Sequence, residues 1–427
     1  MHFVPEAVPA ELPALLRRFV DITGRKPWQK RFDSFRQQIQ RNPLIENHFL
    51  EKYPLELEME AAWALLESGG CFELPKSTAQ AALYSFVAMT ARVHQRLSQA
   101  GSHRLAGMIR SSLSEPCGFA PLQYEMTMAA NLMHRGLDVE FYDIEHGGGP
   151  DFLAIRDGLE VEVELKTVSG DVGRKVHRPR LYQLAEHLYP AMNTALSRET
   201  DGHLVRVILP DRLDGSDAQM QDLRDQIAEV LMAHSSKPGI EPFEIDYMTF
   251  ALEGGPFERP SFGPWTGVGV REFVKELVGN DNENILMVVS PGRTAVVVTV
   301  ESRKNDSVMK SIQRTIKDAA KRQLTGTRPG VILVNLNDVT DGELLELAKA
   351  DHSGDPTALQ IATSQLLHRA DWRHVHTLAY SVPGHVVQSS EPSSDSILLS
   401  SVQQMGSTYV FKNPTHPLVR DPRMSLF

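Results

Sequence analysis

The sequence predicts a mixed α/β (α+β) protein with a helical N-terminal region, an αβββαβ core and a second α/β unit at the C-terminus. Three observations carry that reading. Apolar residues recur at helical spacing between proline and glycine breaks through the first hundred residues. From residue 120 onward, strand-like and helix-like segments alternate. The 427 residues also exceed one ordinary domain of about 100–200 residues, and the composition shifts divide them into 1–110, 111–236 and 237–427.

In the first region Trp28, Phe32, Phe35 and Ile39 lie on one helical stripe, as do Leu83, Phe86, Val93 and Leu97 after the N-cap candidate Ser77. Such stripes are core, so no chemistry is assigned to their aromatic rings. Next, Pro121 and Gly136 bracket a helix over 122–135. Residues 139–145 are β-rich and end at Gly147-Gly148-Gly149, which reads as a flexible turn or as a site of close backbone approach. Residues 152–155 and 159–168 read as a hairpin around Arg156-Asp157-Gly158. A helix from Pro179 carries Leu181, Leu184, Leu188 and Met192 on one face, and a strand follows at 203–209.

A further helix is expected near 218–234, and Ser235-Ser236-Lys237-Pro238-Gly239 reads as a boundary. Beyond it, strands are expected at 243–252, 285–289, 295–300, 331–336 and 374–382, with helices at 307–324, 344–350 and 357–367. The serine-rich stretch 389–401 reads as an exposed linker, and the last residues show no pattern.

Hydrophobic residues at 41% and charged residues at 23% exclude a mainly disordered, collagen-like or coiled-coil chain. The formal charge of −10 argues against nucleic-acid binding by overall charge, so any polyanion must meet a local basic patch. Cys71 and Cys117 lack zinc or redox spacing and read as reduced thiols, and no signal-peptide pattern or long apolar run is present. The expected location is the cytoplasm, with no membrane partner. P-loop, nucleophile-elbow and H-E-x-x-H motifs are absent.

The chemistry concentrates between residues 122 and 180. Alternation along Val161-Glu162-Val163-Glu164-Leu165-Lys166 puts Glu162, Glu164 and Lys166 on one face and three apolar residues on the other. The hairpin turn would bring Asp151, after Pro150, towards Glu164. Close carboxylates repel and raise each other's pKa, and a hard divalent cation such as Mg²⁺ or Mn²⁺ relieves that repulsion. Such a cation polarises a phosphoryl oxygen and acidifies bound water, with a lysine orienting that water. Glu125 falls on the seam Leu122, Glu125, Ala129, Leu132, where a carboxylate needs a partner or must reach water.

Pro150-Asp151 followed by Glu164-Leu165-Lys166, in helix-strand-strand-strand-helix order, resembles the PD-(D/E)xK nuclease superfamily and its restriction-endonuclease-like fold over about residues 120–210. The resemblance implies metal binding by Asp151 and Glu164, activation of water by Lys166, and Glu125 as a further metal ligand. It implies a Mg²⁺- or Mn²⁺-dependent nuclease, with DNA favoured over RNA, in restriction, phage defence or repair. Arg174, Lys175, Arg178 and Arg180 then read as phosphate contacts, against the plainer reading of a solvated loop and helix start.

Two further expectations concern the C-terminal unit. Lys310, Arg314, Lys317 and Lys321 form one stripe, read as a solvated face or as an extension of a nucleic-acid track. Residues 298–303 faintly echo 161–166, with Val288 standing where Asp151 would correspond, as in a degenerate copy. His374 and His376 share a strand face but lack a third metal ligand at suitable spacing. Two alternatives stay open. One is a catalytically idle module that binds nucleic acid or a partner protein. The other is an RNA-directed effector restrained by its N-terminal region, which removal of residues 1–110 would activate. A homodimer or a partner subunit is compatible with either.

Overall fold

The structure is a computed structural model and describes residues 7–424 except 43, 45, 47–48, 50–51, 116, 170–172, 237–242, 259–266, 281, 283, 306, 338–343, 345–355 and 384–404. The expected helix at 344–350 and the serine-rich linker fall essentially outside the described residues. Among the described residues there are twelve helices and two mixed sheets, the α/β class the sequence predicts.

Six helices come first: α1 (Leu12–Thr23), α2 (Arg25–Arg41), α3 (Pro54–Glu67), α4 (Thr78–His94), α5 (Gln99–Ser112) and α6 (Ala120–His134). Helix α4 is capped as expected, the Ser77 hydroxyl accepting from the Gln80 N–H. Helix α6 starts with Pro121 in its first turn and stops before Gly136, whose φ is +81°. There follow β1 (Asp138–Phe141), α7 (Tyr142–His146), β2 (Phe152–Arg156) and β3 (Leu159–Ser169). Asp157 and Gly158 both have positive φ (49° and 74°), the two-residue turn that closes a tight hairpin.

The chain continues through α8 (Arg178–Arg198), β4 (Asp201–Leu209), α9 (Asp217–Ala233), β5 (Glu244–Phe250), α10 (Gly267–Val278), β6 (Ile285–Ser290) and β7 (Thr294–Ser302). It ends with α11 (Val308–Arg322), β8 (Gly330–Asn337), α12 (Ala358–Leu367), β9 (Val375–Pro383) and β10 (Met405–Lys412). Strand β10, in the patternless tail, was not expected.

The chain forms two compact units that cut across the three expected blocks. One comprises residues 1–34, 52–170 and 309–427; the other comprises 35–51 and 171–308. In the first, the sheet order is β1-β2-β3-β8-β9-β10, with β3 antiparallel to β2 and parallel to β8. The sequence pairs β4 with the hairpin strands as the last strand of the αβββαβ core, but β4 belongs to the other sheet, ordered β5-β4-β7-β6. The parallel strand beside β3 is β8, supplied after residues 171–308 intervene. Nothing in local periodicity encodes so distant a pairing.

The helical N-terminal region is likewise not separate. Leu12, Phe19, Trp28, Leu83 and Phe86 share one buried cluster with Leu122, Val161, Val163 and Leu165, and with Val331 and Leu333 of β8. Trp28 stacks on Phe119 with centroids 5.3 Å apart. Removing residues 1–110 would strip this core rather than release an inhibitory cover. In the second unit, α8 and α9 pack Leu184, Leu188, Met192, Leu223 and Ile227 on one side of the sheet, while α10 packs Val270 and Val274 on the other. No helix among the described residues is long and apolar enough to cross a membrane.

Candidate active site

Strand β3 is an interior strand of its sheet, and its alternation is realised as read: Val161, Val163 and Leu165 enter the core shared with α6. Glu162 and Glu164 are both 0% exposed. Their environments differ sharply. The Glu162 carboxylate accepts from the Thr325 N–H (2.8 Å) and the Thr325 hydroxyl, and pairs with Arg328 at 3.5 Å, all on the approach to β8. Glu162 is therefore a structural tie.

Glu164 has no such set of donors. Its Oε1 lies 2.5 Å from Lys166 Nζ, a close ion pair lacking hydrogen-bond alignment, and neither of its oxygens has an aligned donor. Asp151 stands immediately before β2, whose first pair with β3 is Phe152–Val163. Asp151 Oδ2 accepts from the Leu165 N–H at 2.6 Å, which locks this carboxylate onto the strand bearing Glu164 and Lys166.

Helix α7 replaces the second half of the expected strand 139–145. Its start is tied to the site, the Tyr142 N–H donating to the Asp151 carbonyl at 2.9 Å. Arg104 donates to the carbonyls of Ile144 (2.9 Å) and Glu145 (2.7 Å), and the Glu145 carboxylate accepts from the Ser98 N–H at the start of α5. Gly147 ends α7 in the left-handed region, φ +79°. Gly149 has φ +101°, and a Cβ there would meet the Tyr142 ring at 2.8 Å, so these glycines serve the turn into Pro150-Asp151.

This turn brings in a residue that sequence reasoning missed, Asp143. Its negative charge acts on both Glu125 and Asp151. The available signal was a carboxylate eight residues before Asp151, obscured by the β-like composition around it. Glu125, Asp143, Asp151 and Glu164 form one electrostatic cluster with Lys166.

Burial dominates the proton affinities. It pushes Glu164 up to about 8, with Asp151's charge adding and Lys166 opposing. Burial pushes Asp151 up to about 6, against Lys166 and the Leu165 N–H. Glu125 is raised well above the usual carboxylate range by burial, then by the charges of Asp151, Asp143 and Glu164. These groups share protons, since each deprotonation discourages the next.

The donor set suits a hard cation: carboxylates in mutual repulsion, with two buried Glu164 oxygens lacking aligned donors. Among the described residues, no three Asp, Glu, His or Cys side chains are arranged as they stand to hold one metal ion. Lys166 provides the local positive charge.

Arg174, Lys175, Arg178 and Arg180 belong to the second unit. Arg174, Lys175 and Arg178 are half-buried and have partners within the protein, and the exposed Arg180 donates to Gln183 at 3.2 Å. The echo at 298–303 is built differently from β3. Glu301 is held by Arg206 (2.9 and 3.1 Å) and Asn280 (2.8 Å), and Val288 is buried opposite Val296. His374 bonds the Ala320 carbonyl at 3.2 Å, and the buried His376 bonds Thr377 at 2.6 Å. No protein-family model matches this chain, and neither a curated protein nor a solved structure does.

Proposed function

We propose that the protein is a divalent-cation-dependent nuclease of the cytoplasm that hydrolyses phosphodiester bonds, with DNA the favoured substrate. The observation that carries this reading is the carboxylate of Asp151 fixed on the Leu165 N–H, between Glu164 and Lys166, across a tight hairpin. The hairpin brings Asp151 beside Glu164 and Lys166, α6 adds Glu125 and α7 adds Asp143, and both Glu164 oxygens lack aligned donors. Glu125, Asp151 and Glu164 would hold Mg²⁺ or Mn²⁺, with Asp143 adding negative charge beside them. Bound there, the cation supplies charge neutralisation at the phosphoryl group and acidification of water.

Lys166 is the residue assigned to the nucleophile. Its ammonium, at the edge of the cluster, orients the water whose oxygen bonds to phosphorus as the bond from phosphorus to the leaving sugar oxygen breaks. The proton that the water gives up passes to solvent, which returns one to the leaving sugar oxygen. The resemblance to PD-(D/E)xK nucleases supports these roles, and restriction, phage defence or repair is the setting it suggests.

A catalytically idle module is the second reading, favoured by the Lys166–Glu164 ion pair and by the lack of three chelating side chains among the described residues. Thermal denaturation with and without Mg²⁺ or Mn²⁺ separates the two. The nuclease reading requires a cation-dependent rise in Tm that Asp151→Ala abolishes. No rise in the wild type counts against it.

A further inference from the structure

Helix α11 carries a feature outside the carboxylate cluster. Lys310, Arg314, Lys317 and Lys321 recur at i, i+4, i+7 and i+11, within an arc of about 60° and over about 16 Å of axis. Lys310, Arg314 and Lys321 are exposed and Lys317 is half-buried. Ile312, Ile316, Ala319 and Ala320, on the other side, are buried, which fixes the roll of the helix. The helix has five cations against one anion, an excess of four in a chain of net charge −10. Lys321 feels Asp371, a carboxylate already held by Arg369 at 3.0 Å, and none of the four stripe cations forms an ion pair with a carboxylate among the described residues.

This helix is also well placed within the first unit. It leads directly to Thr325 and Arg328, which hold Glu162 and Glu160 of β3, and then to β8, the parallel neighbour of the strand bearing Glu164 and Lys166.

We propose that this ridge is the docking surface for the sugar–phosphate backbone of duplex DNA. The inference deepens the nuclease reading and rests on it for the identity of the substrate. A straight row of cations about 16 Å long fits a strand with one phosphate per about 3.4 Å of helix axis. An anionic membrane fits less well, because a helix lying on a bilayer inserts its apolar face, and here that face is in the core. The ridge replaces the segment 174–180 as the leading phosphate contact.

The test uses the full-length protein and a fluorescein-labelled DNA duplex, with anisotropy read in EDTA from 50 to 200 mM KCl, roughly the span over which phosphate contacts register. The wild type is compared with a variant carrying Lys310→Gln, Arg314→Gln, Lys317→Gln and Lys321→Gln. The slope of log K against log salt should fall by about 3–4 in magnitude, at about 0.9 for each phosphate no longer neutralised. Unchanged circular dichroism and Tm verify the fold. If that variant fails to fold, Lys310→Glu and Arg314→Glu singly should each lower the slope by about 1 or more.

Equal slopes and affinities for wild type and variant overturn the proposal. So does binding of poly-glutamate or phosphatidylserine vesicles, but not DNA, through these residues. Cleavage is assayed separately in Mg²⁺. A protein that binds through the ridge but never cleaves keeps this surface and loses the nuclease reading, whereas cleavage unaffected by the fourfold variant does the reverse.

Discussion

Replacing Asp151 with asparagine should stabilise the cation-free protein at pH 8, because the native fold holds this carboxylate at a cost. Burial raises its pKa from 3.8 to about 6. A carboxyl whose pKa is higher folded than unfolded binds more protons in the folded state. Its stabilising contribution is complete below the unfolded value and is lost as pH rises through the folded one. The loss spans about pH 4 to 6, and at about 1.4 kcal/mol per pH unit a shift of roughly two units amounts to about 3 kcal/mol. Asparagine keeps an oxygen to accept the Leu165 N–H while removing the charge. In EDTA, Asp151→Asn should therefore melt several degrees above the wild type at pH 8, with the difference vanishing near pH 4. Glu56, buried and raised to about 7, titrates in an overlapping window and cancels in the variant-minus-wild-type difference, whereas Glu164, raised to about 8 in part by the Asp151 charge, is relieved in the variant and adds to the gain at pH 8. A variant less stable than the wild type at pH 8, or a difference independent of pH, would refute the reasoning.

Three other outcomes follow from the same geometry. Asp143→Asn should weaken Mg²⁺ binding about tenfold in a calorimetric titration, while leaving the urea unfolding midpoint within error. In β4, a Cβ at Gly202 would meet the Phe250 ring at 2.1 Å, so Gly202→Ala should cost about 1–3 kcal/mol in urea unfolding. Arg206→Ala leaves the Glu301 carboxylate with Asn280 alone and should lower the urea midpoint by an amount corresponding to about 1–3 kcal/mol.

Much of the candidate site was legible because it is local. Strand alternation puts Glu164 and Lys166 on one face, the Asp157-Gly158 turn sets the register that brings Asp151 beside them, and the seam of α6 singles out Glu125. Asp143 was not legible. Its segment has strand-like composition, and the short helix that presents it, closed by the left-handed Gly147, is held by Arg104 and the Ser98–Glu145 bonds, both tertiary features. Domain organisation failed for a related reason. Consecutive elements usually pack together, yet β3 takes its parallel partner from residues 330–337 while β4 joins a different sheet. The basic stripe on α11 was visible as periodicity, but its membership of the unit that holds β3 depends on that long-range connection.

Cleavage of supercoiled plasmid in Mg²⁺ or Mn²⁺ against EDTA, comparing the wild type with a folded Lys166→Ala variant and with linear DNA, single-stranded DNA and RNA run in parallel, tests the central claim most directly. The nuclease reading expects cation-dependent cleavage by the wild type that the variant loses. Cleavage that persists in EDTA or in the variant, or no cleavage of any substrate by a wild type that binds the cation, would contradict it.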